Sequence, residues 1–244
     1  MSNYWRKRAK HFNELQWAND PLYLEALRRA GKFSKGDFVL DLGSGTGSIA
    51  QAIAPLVKRV IALDKSVDML AGGSWPKNVR IMQWNILEPI FLDSLFDKII
   101  ARNVFHHILR NTQRAMDECH RVLKRGGIMV LAEYVPPSLE AKGNFIEIFK
   151  LKEKRLTFME NDLVNLMSRA GFKNLQLDTV WVKGVSVRKW LANAGDLSES
   201  RQEEIFRLIN DCNCFKEASH LVEIGDDCLI DMRMVILTEE KGGV

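Results

Sequence analysis

The stretch Val39-Leu40-Asp41-Leu42-Gly43-Ser44-Gly45-Thr46-Gly47 decides how the rest of the chain is read. An apolar run stops at three alternate glycines, and a helical pattern, Ile49–Val57, follows them. Glycine permits a tight turn and lets a ligand approach the backbone, while a helix start offers N–H groups. The next apolar run, Arg59–Leu63, ends at Asp64, 21 residues after Gly43. A carboxylate at the tip of a second strand can accept both hydrogen bonds of a ribose diol. Together these features point to a nucleoside-containing cofactor at the carboxyl edge of a sheet.

Outward from this loop, Val- and Ile-rich runs at Phe38–Leu42, Arg59–Leu63, Val79–Gln83, Asp97–Ala101 and Ile128–Glu133 alternate with helical patterns. One of these, Gln113–Lys124, is followed by Gly126-Gly127, which reads as its stop. The alternation predicts a doubly wound α/β fold, a mostly parallel sheet with helices on both faces. The flanks differ. Residues 1–33 read as helical and carry Tyr4, Trp5, Phe12 and Trp17. After Pro136-Pro137, the stretch Leu139–Lys154 sets Phe145, Ile148, Phe149 and Leu151 against many lysines, which reads as a half-solvated basic face. A helix over Asn161–Ala170, a strand over Leu175–Val182, helices over Val187–Ala194 and Glu199–Asp211, and a strand over Met232–Leu237 complete the chain.

Composition excludes several classes. A hydrophobic fraction of 46% and a charged fraction of 27% are those of a globular chain. With 35 basic and 31 acidic residues, the net charge of +4 is too small to imply nucleic acid without a local patch. No apolar run approaches the roughly 18 residues of a membrane-spanning helix, and the opening MSNYWRKRAKHFNEL lacks a secretory signal's apolar segment. Four cysteines are too few for a disulfide scaffold in 244 residues, so the expected address is the cytoplasm.

The spacing of the glycines separates the candidate cofactors. A dinucleotide fingerprint, G-x-G-x-x-G, needs glycine where Ser48 stands. The spacing here is D-x-G-x-G-x-G. An acid two residues before the first glycine would repel a pyrophosphate but suits a ligand bearing an ammonium and a sulfonium. A phosphate loop also fails, because Asp37 stands after Gly36 where lysine is needed. The segment VLDLGSGTG followed by VIALD resembles the cofactor-binding motifs of class I S-adenosylmethionine-dependent methyltransferases. Phe96-Asp97-Lys98-Ile99-Ile100 agrees, as does Arg121-Val122-Leu123-Lys124-Arg125-Gly126-Gly127, which is similar to that family's RVLKPGG turn with arginine in place of proline. The resemblance covers residues 34–134 and extends to the type 11 and quinone-biosynthesis enzymes, which share the Arg102-Asn103-Val104 segment.

The resemblance implies a seven-stranded Rossmann-like sheet, S-adenosyl-L-methionine as methyl donor and no metal. It implies that Asp41, Gly43, Ser44 and Gly45 hold the methionine part and Asp64 the ribose, with Lys65 and Met69 near ribose and adenine. Asn85-Ile86 occupies the place where relatives carry an acid for the adenine amino group, and Arg102 follows the fourth strand beside the methionine moiety. Each of Lys65 and Met69 reads equally well as a surface lysine and a packing methionine. It further implies an N-terminal helical lid over 1–33 on a domain spanning 34–244, with acceptor-side helical insertions at 136–160 and 184–222.

Methyl transfer from a sulfonium is a displacement at carbon, for which alignment in a partly dry site is the main requirement. A base is needed only when the acceptor must lose a proton. His106 and His107, just past the fourth strand, are the candidates; the competing reading makes one a helix cap and the other packing. Cys212, Cys214, His220 and Cys228 fit no usual zinc spacing, and the three cysteines read as buried or surface thiols. The acceptor expected is a small molecule. Other readings are a quinone-type ring C-methyltransferase, an RNA methyltransferase, an NAD-dependent oxidoreductase and a non-catalytic partner subunit. The RNA reading is weakened because no Pro-Pro-Tyr element follows the fourth strand.

Overall fold

Alternation along the short apolar runs builds a sheet buried on both faces. In the computed structural model, which describes residues 3–242, the strands are β1 (Phe38–Leu42), β2 (Arg59–Asp64), β3 (Val79–Gln83), β4 (Phe96–Arg102), β5 (Leu123–Tyr134), β6 (Gln176–Ser186), β7 (Val222–Ile224) and β8 (Asp227–Glu240). Their order is β3-β2-β1-β4-β5-β8-β6, with β7 paired to β8. Pairs within β1–β5 are parallel, and β8 enters antiparallel between β5 and β6. The sheet thus has eight strands where the sequence pattern gives seven. The eighth, β7, is three exposed residues hairpinned onto β8, so it leaves no burial signal to read.

The helices are α1 (Asn3–His11), α2 (Gln16–Asn19), α3 (Pro21–Gly31), α4 (Ser48–Ile53), α5 (Val67–Ala71), α6 (Thr112–Val122), α7 (Lys142–Lys152), α8 (Glu160–Arg169), α9 (Val187–Ala192), α10 (Glu199–Asp211) and α11 (Asn213–Ala218). Val39, Val60, Ile100 and Val130 face one core, which α3, α4, α7, α9 and α10 cover; Leu40, Ile61, Ile99 and Met129 face the other, under α6 and α8. Helix α3 starts on a good cap, with Pro21 in its first turn and the Asp20 carboxylate accepting the Tyr23 N–H at 2.8 Å. It lies directly on β5, β6 and β8, while α1 packs against α5. Residues 1–33 therefore divide into a sheet-covering helix and a segment, α1 to α2, that reaches the ligand edge.

Gly126-Gly127 does not end a helix. Helix α6 stops at Val122, and the glycine pair lies inside β5, where the register against β4 shifts between Phe96 and Lys98. A Cβ at Gly127 would stand 2.8 Å from the Asp97 carbonyl oxygen, so close strand contact, not helix termination, requires glycine.

Strands β2 and β3 lie to one side of β1 and β4 to the other, which puts the topological switch between β1 and β4. The glycine loop leaves β1 there, beside the segment that leaves β4.

Candidate active site

The turn after β1 is held by its own N–H groups. Those of Gly43 and Ser44 donate to the Leu63 carbonyl at 2.8 and 3.1 Å, that of Gly45 to Asp64 Oδ2 at 2.9 Å, and that of Gly47 to the Ser44 carbonyl at 2.9 Å. Those four donors of the turn are taken; the N–H groups at the start of α4, Ser48 to Ala50, are not among them. A loop whose donors are spent cannot cradle a phosphate. What it retains is acceptor capacity, and the buried Asp41 Oδ2 and Ser44 Oγ have no partner. Asp41 is not among the residues lining the cavity; it lies buried beneath the turn, and burial lifts its carboxyl to about 7 against the opposing pull of Arg102.

Gly43 is the tightest position of the turn. Its φ is +68°, and a Cβ there would stand 2.4 Å from Val104 Cγ2. Gly43→Ala is expected to cost roughly 2–5 kcal/mol from backbone strain plus overpacking, read as a fall in the urea midpoint; a change below about 1 kcal/mol would refute the close packing of the β1 and β4 turns. At Gly45 a Cβ would lie 3.2 Å from Met69 Cε, so substitution there crowds Met69.

A cavity of about 370 Å³ runs along the carboxyl ends of β1, β2, β4 and β5. At one end lie Gly43, Ser44, Gly45, Asp64, Lys65, Met69, Asn85, Ile86 and Arg102. Asp64 ends β2 with one N–H on each oxygen, from Gly45 and from Ser66 at 2.8 Å, and burial raises its carboxyl. Lys65 is exposed at the rim. Asn85 Oδ1 is engaged by the Leu87 N–H at 3.2 Å, which reduces what it can offer a base. The Arg102 guanidinium donates to the Ala18 carbonyl at 2.7 Å and to Ser48 Oγ at 2.6 Å, tying α2 to the sheet. Thr46 Oγ1 donates to Asn13 Oδ1 at 2.5 Å, a second tie between the N-terminal segment and the glycine loop.

The same cavity continues to His106 and His107. Asn103 takes a left-handed φ of +54°, donates its N–H to the Ala132 carbonyl at 2.7 Å and accepts the Tyr134 N–H at 2.8 Å. Asparagine tolerates that conformation, and the bend swings the following turn over the end of β5. There Glu133, fully buried, accepts the Phe105 N–H at 2.7 Å and meets His106 Nδ1 at 2.5 Å. Burial lifts Glu133 to about 7, while burial followed by Arg155 holds His106 well below its ordinary range. His107 meets His106 at 4.1 Å between centroids, the rings tilted by 52°, and meets the Trp5 ring edge-on.

Beyond the histidines lies a buried ionic cluster that the sequence reading missed. Glu153 accepts from Tyr4 and from Arg8 Nη1 at 2.7 Å, with Lys152 Nζ at 3.4 Å and Arg155 Nη1 at 3.9 Å. The side chain of Lys152 is 1% exposed, so the basic stretch of α7 is not simply solvated. A signal was available: Phe145, Ile148, Phe149 and Lys152 share one helical face at i, i+3, i+4 and i+7. Glu133 was equally legible as an acid closing an apolar strand. Of the thiols, Cys212 and Cys214 approach to 2.9 Å, while Cys228 takes an Asn210 contact and His220 pairs with Asp231. Among the described residues the set that could meet on one ion is His106, His107 and Glu153.

Comparison with known proteins gives this geometry its family. Residues 40–131, from β1 through the glycine loop to β5, match the methyltransferase domain family Methyltransf_11. Over these residues the chain carries a methyltransferase domain of the class I, S-adenosylmethionine-dependent type. It is 25% identical over 180 residues to the uncharacterized methyltransferase YcgJ of Bacillus subtilis, covering 70% of each chain. The solved structure of that YcgJ protein superposes with a TM-score of 0.75 at 19% identity over 91% of this chain and 98% of the other. A ubiquinone/menaquinone biosynthesis C-methyltransferase, UbiE of Coxiella burnetii, is 31% identical over 114 residues, 43% of this chain and 45% of the relative. The phosphoethanolamine N-methyltransferase 2 of Haemonchus contortus, solved with phosphomonomethylethanolamine and S-adenosylhomocysteine, aligns with a TM-score of 0.68 at 16% identity, over all of this chain and 61% of the other. Neighbours of this fold are solved with S-adenosylmethionine or S-adenosylhomocysteine bound, the Haemonchus enzyme among them. The glycine end is compatible with that group, since Ser44, whose Oγ has no partner, and the strand-tip carboxylate of Asp64 both line it, with Asp41 buried behind the turn. No described helix is long and apolar enough to cross a membrane.

Proposed function

We propose that this methyltransferase acts on a small-molecule acceptor enclosed in the chamber between the glycine loop, α1, α7 and α9. The observation that carries this reading is the continuity of one cavity from Gly43–Gly45 to His106 and on to the buried Arg8, Lys152, Glu153 and Arg155. Walls from Trp5, Tyr134, Phe149 and Trp190 favour an acceptor that enters whole, not a nucleic-acid chain threading past. The segment α1 to α2 acts as the lid, and the helical regions 136–160 and 184–222 form the acceptor's wall. A cytoplasmic address accords with this reading.

In this proposal Asp64 accepts the donor's ribose hydroxyls, and Ser44 with the loop carbonyls faces its ammonium. Asp41 acts from beneath the turn as a buried negative potential. Met69 and Ile86 flank the adenine, with Lys65 and Asn85 at its edge, while Arg102 fixes the loop from behind. S-adenosylmethionine, when bound there, supplies an electrophilic methyl group on a positively charged sulfur. The protein's own part is to align the acceptor, exclude water and take its proton. His106 is the base: its Nδ1–H donates to Glu133, which leaves the Nε2 lone pair free and stabilises the imidazolium that forms. His107 positions His106 by ring contact.

Asp64→Ala is expected to weaken donor binding by about 1–3 kcal/mol, because two ribose hydroxyls lose their acceptor. Calorimetry with S-adenosylhomocysteine measures it, and Asp64→Asn, which keeps an acceptor for the Gly45 N–H, separates ribose recognition from loop order. Unchanged affinity in both variants removes Asp64 from the site. The acceptor itself is sought by labelled-methyl transfer into a fractionated metabolite extract followed by mass spectrometry. Label appearing only in the RNA fraction would overturn the small-molecule reading. A quinone ring is the second reading, favoured by the 31% identity to the UbiE relative, although the ionic far wall suits a neutral ring poorly.

A further inference from the structure

The inner end of the chamber has more hydrogen-bond donors than acceptors. Three cations converge on Glu153, each with a side chain at most 7% exposed: Arg8, Lys152 and Arg155. Glu153 Oε2 already accepts from Tyr4 and Arg8, so Lys152, at 3.4 Å from that oxygen, has a shared and distant counter-ion. Arg8 Nε is buried with no partner. Arg155 spends Nε and Nη2 on the Leu156 and Tyr134 carbonyls, and its Nη1 comes no nearer to a carboxylate than 3.9 Å. Among the described residues the other acid facing these groups, Glu133, is committed to Phe105 and His106. The histidines add no acceptor charge. Buried cations and donors left in this state are costly unless a ligand completes them.

We propose that this cluster is an oxyanion-recognition site for the acceptor, so that the substrate is an acid whose carboxylate or phosphate is held by Arg8, Lys152 and Arg155. This rests on the reading of the chamber as the acceptor site. The body of the acid lies against Phe149 and Trp190, over which Lys152 Nζ already sits at 5.3 and 4.9 Å. An aromatic or apolar body therefore shares the site with the charge. The same geometry argues against a metal ion on His106, His107 and Glu153. Glu153 already faces three basic side chains, and a divalent ion would enter a region in positive excess.

The test is calorimetry on the full chain loaded with S-adenosylhomocysteine, using benzoate, phenyl phosphate, benzamide, benzylamine and zinc chloride as probes. Benzoate or phenyl phosphate is expected to bind about tenfold or more tighter than benzamide and benzylamine; the tighter of the two anions identifies the head group. In Lys152→Met that preference should collapse, with donor affinity unchanged. The ligand-free variant should melt no lower than the parent, since an uncompensated buried charge has been removed. Lys152→Gln serves the same purpose should the methionine variant not fold. Equal binding of benzamide, no binding of either anion, or a stoichiometric zinc site abolished by His106→Ala would overturn the proposal. These outcomes are separable from failure of the functional reading. Methyl transfer to neutral acceptors without anion binding sinks this inference alone, while anion binding without any methyl transfer sinks the other.

Discussion

Glu153→Gln is expected to lower the unfolding free energy by about 3–5 kcal/mol, the cost of breaking a buried ion pair by removing one partner. The substitution keeps size and one acceptor oxygen, so the loss reports the charge and the second acceptor. It leaves Arg8, Lys152 and Arg155, all buried, without their counter-ion. Urea denaturation in a buffer free of oxyanions measures it. The pH dependence has a definite sign. Burial alone would raise the Glu153 carboxyl, but Lys152, Arg8, His107 and Arg155 overcome it and hold the group well below its ordinary range. A depressed acid contributes stability that is fully present above its unfolded value, near about 4.5, and lost as pH falls through the folded value. The parent should therefore lose stability on acidification in a way the variant does not. A loss below about 1 kcal/mol, or an unchanged acid limb, would show that solvent already screens the cluster.

His106→Gln is expected to slow single-turnover methyl transfer by roughly 10²-fold or more with donor affinity intact. The productive state of the pair has Glu133 ionised and the imidazole neutral, with the proton on Nδ1. Burial makes Glu133 the first to protonate, at about 7, because His106 is held well below its ordinary range by burial and by Arg155. A protonated Glu133 donates to Nδ1 and forces the ring proton onto Nε2, which removes the lone pair that accepts the substrate's proton. The rate should fall as pH drops through about 7, above the value of roughly 6.5 that an unperturbed histidine would give. Glu133→Gln should remove that limb and slow the reaction. A pH-independent rate from 8 to 6, shared by parent and both variants, would leave alignment alone as the source of catalysis.

The donor half of the site was legible because its determinants are local. Gly43, Gly45, Asp64 and the strands around them are specified by short-range spacing: unbroken apolar runs, a turn that needs positive φ, and an acid at a strand tip. Even there the sequence did not show which turn donors are taken, since only the register of β1 on β2 brings the Leu63 carbonyl to the Gly43 and Ser44 N–H groups. The Gly126-Gly127 pair carried the same ambiguity, because glycine after a helix and glycine in a bulge look alike until the partner strand is known.

The far end of the cavity depended on distance in sequence. Arg8 and Tyr4 meet Glu153 from 145 and 149 residues away, and His106 meets Glu133 across 27. No periodicity encodes those meetings, and a basic helix reads the same whether its lysine faces water or a buried carboxylate. The sequence by itself determined the alternating sheet, the turn, the strand-tip acid and, through them, the donor class, because backbone conformation and face burial are set by neighbours along the chain. Tertiary structure alone decided that Lys152 is buried, that Glu133 backs His106 and that three cations share one carboxylate. A charge's partner is fixed by which elements pack together, and that follows from the burial of whole faces, not from the charged residues themselves.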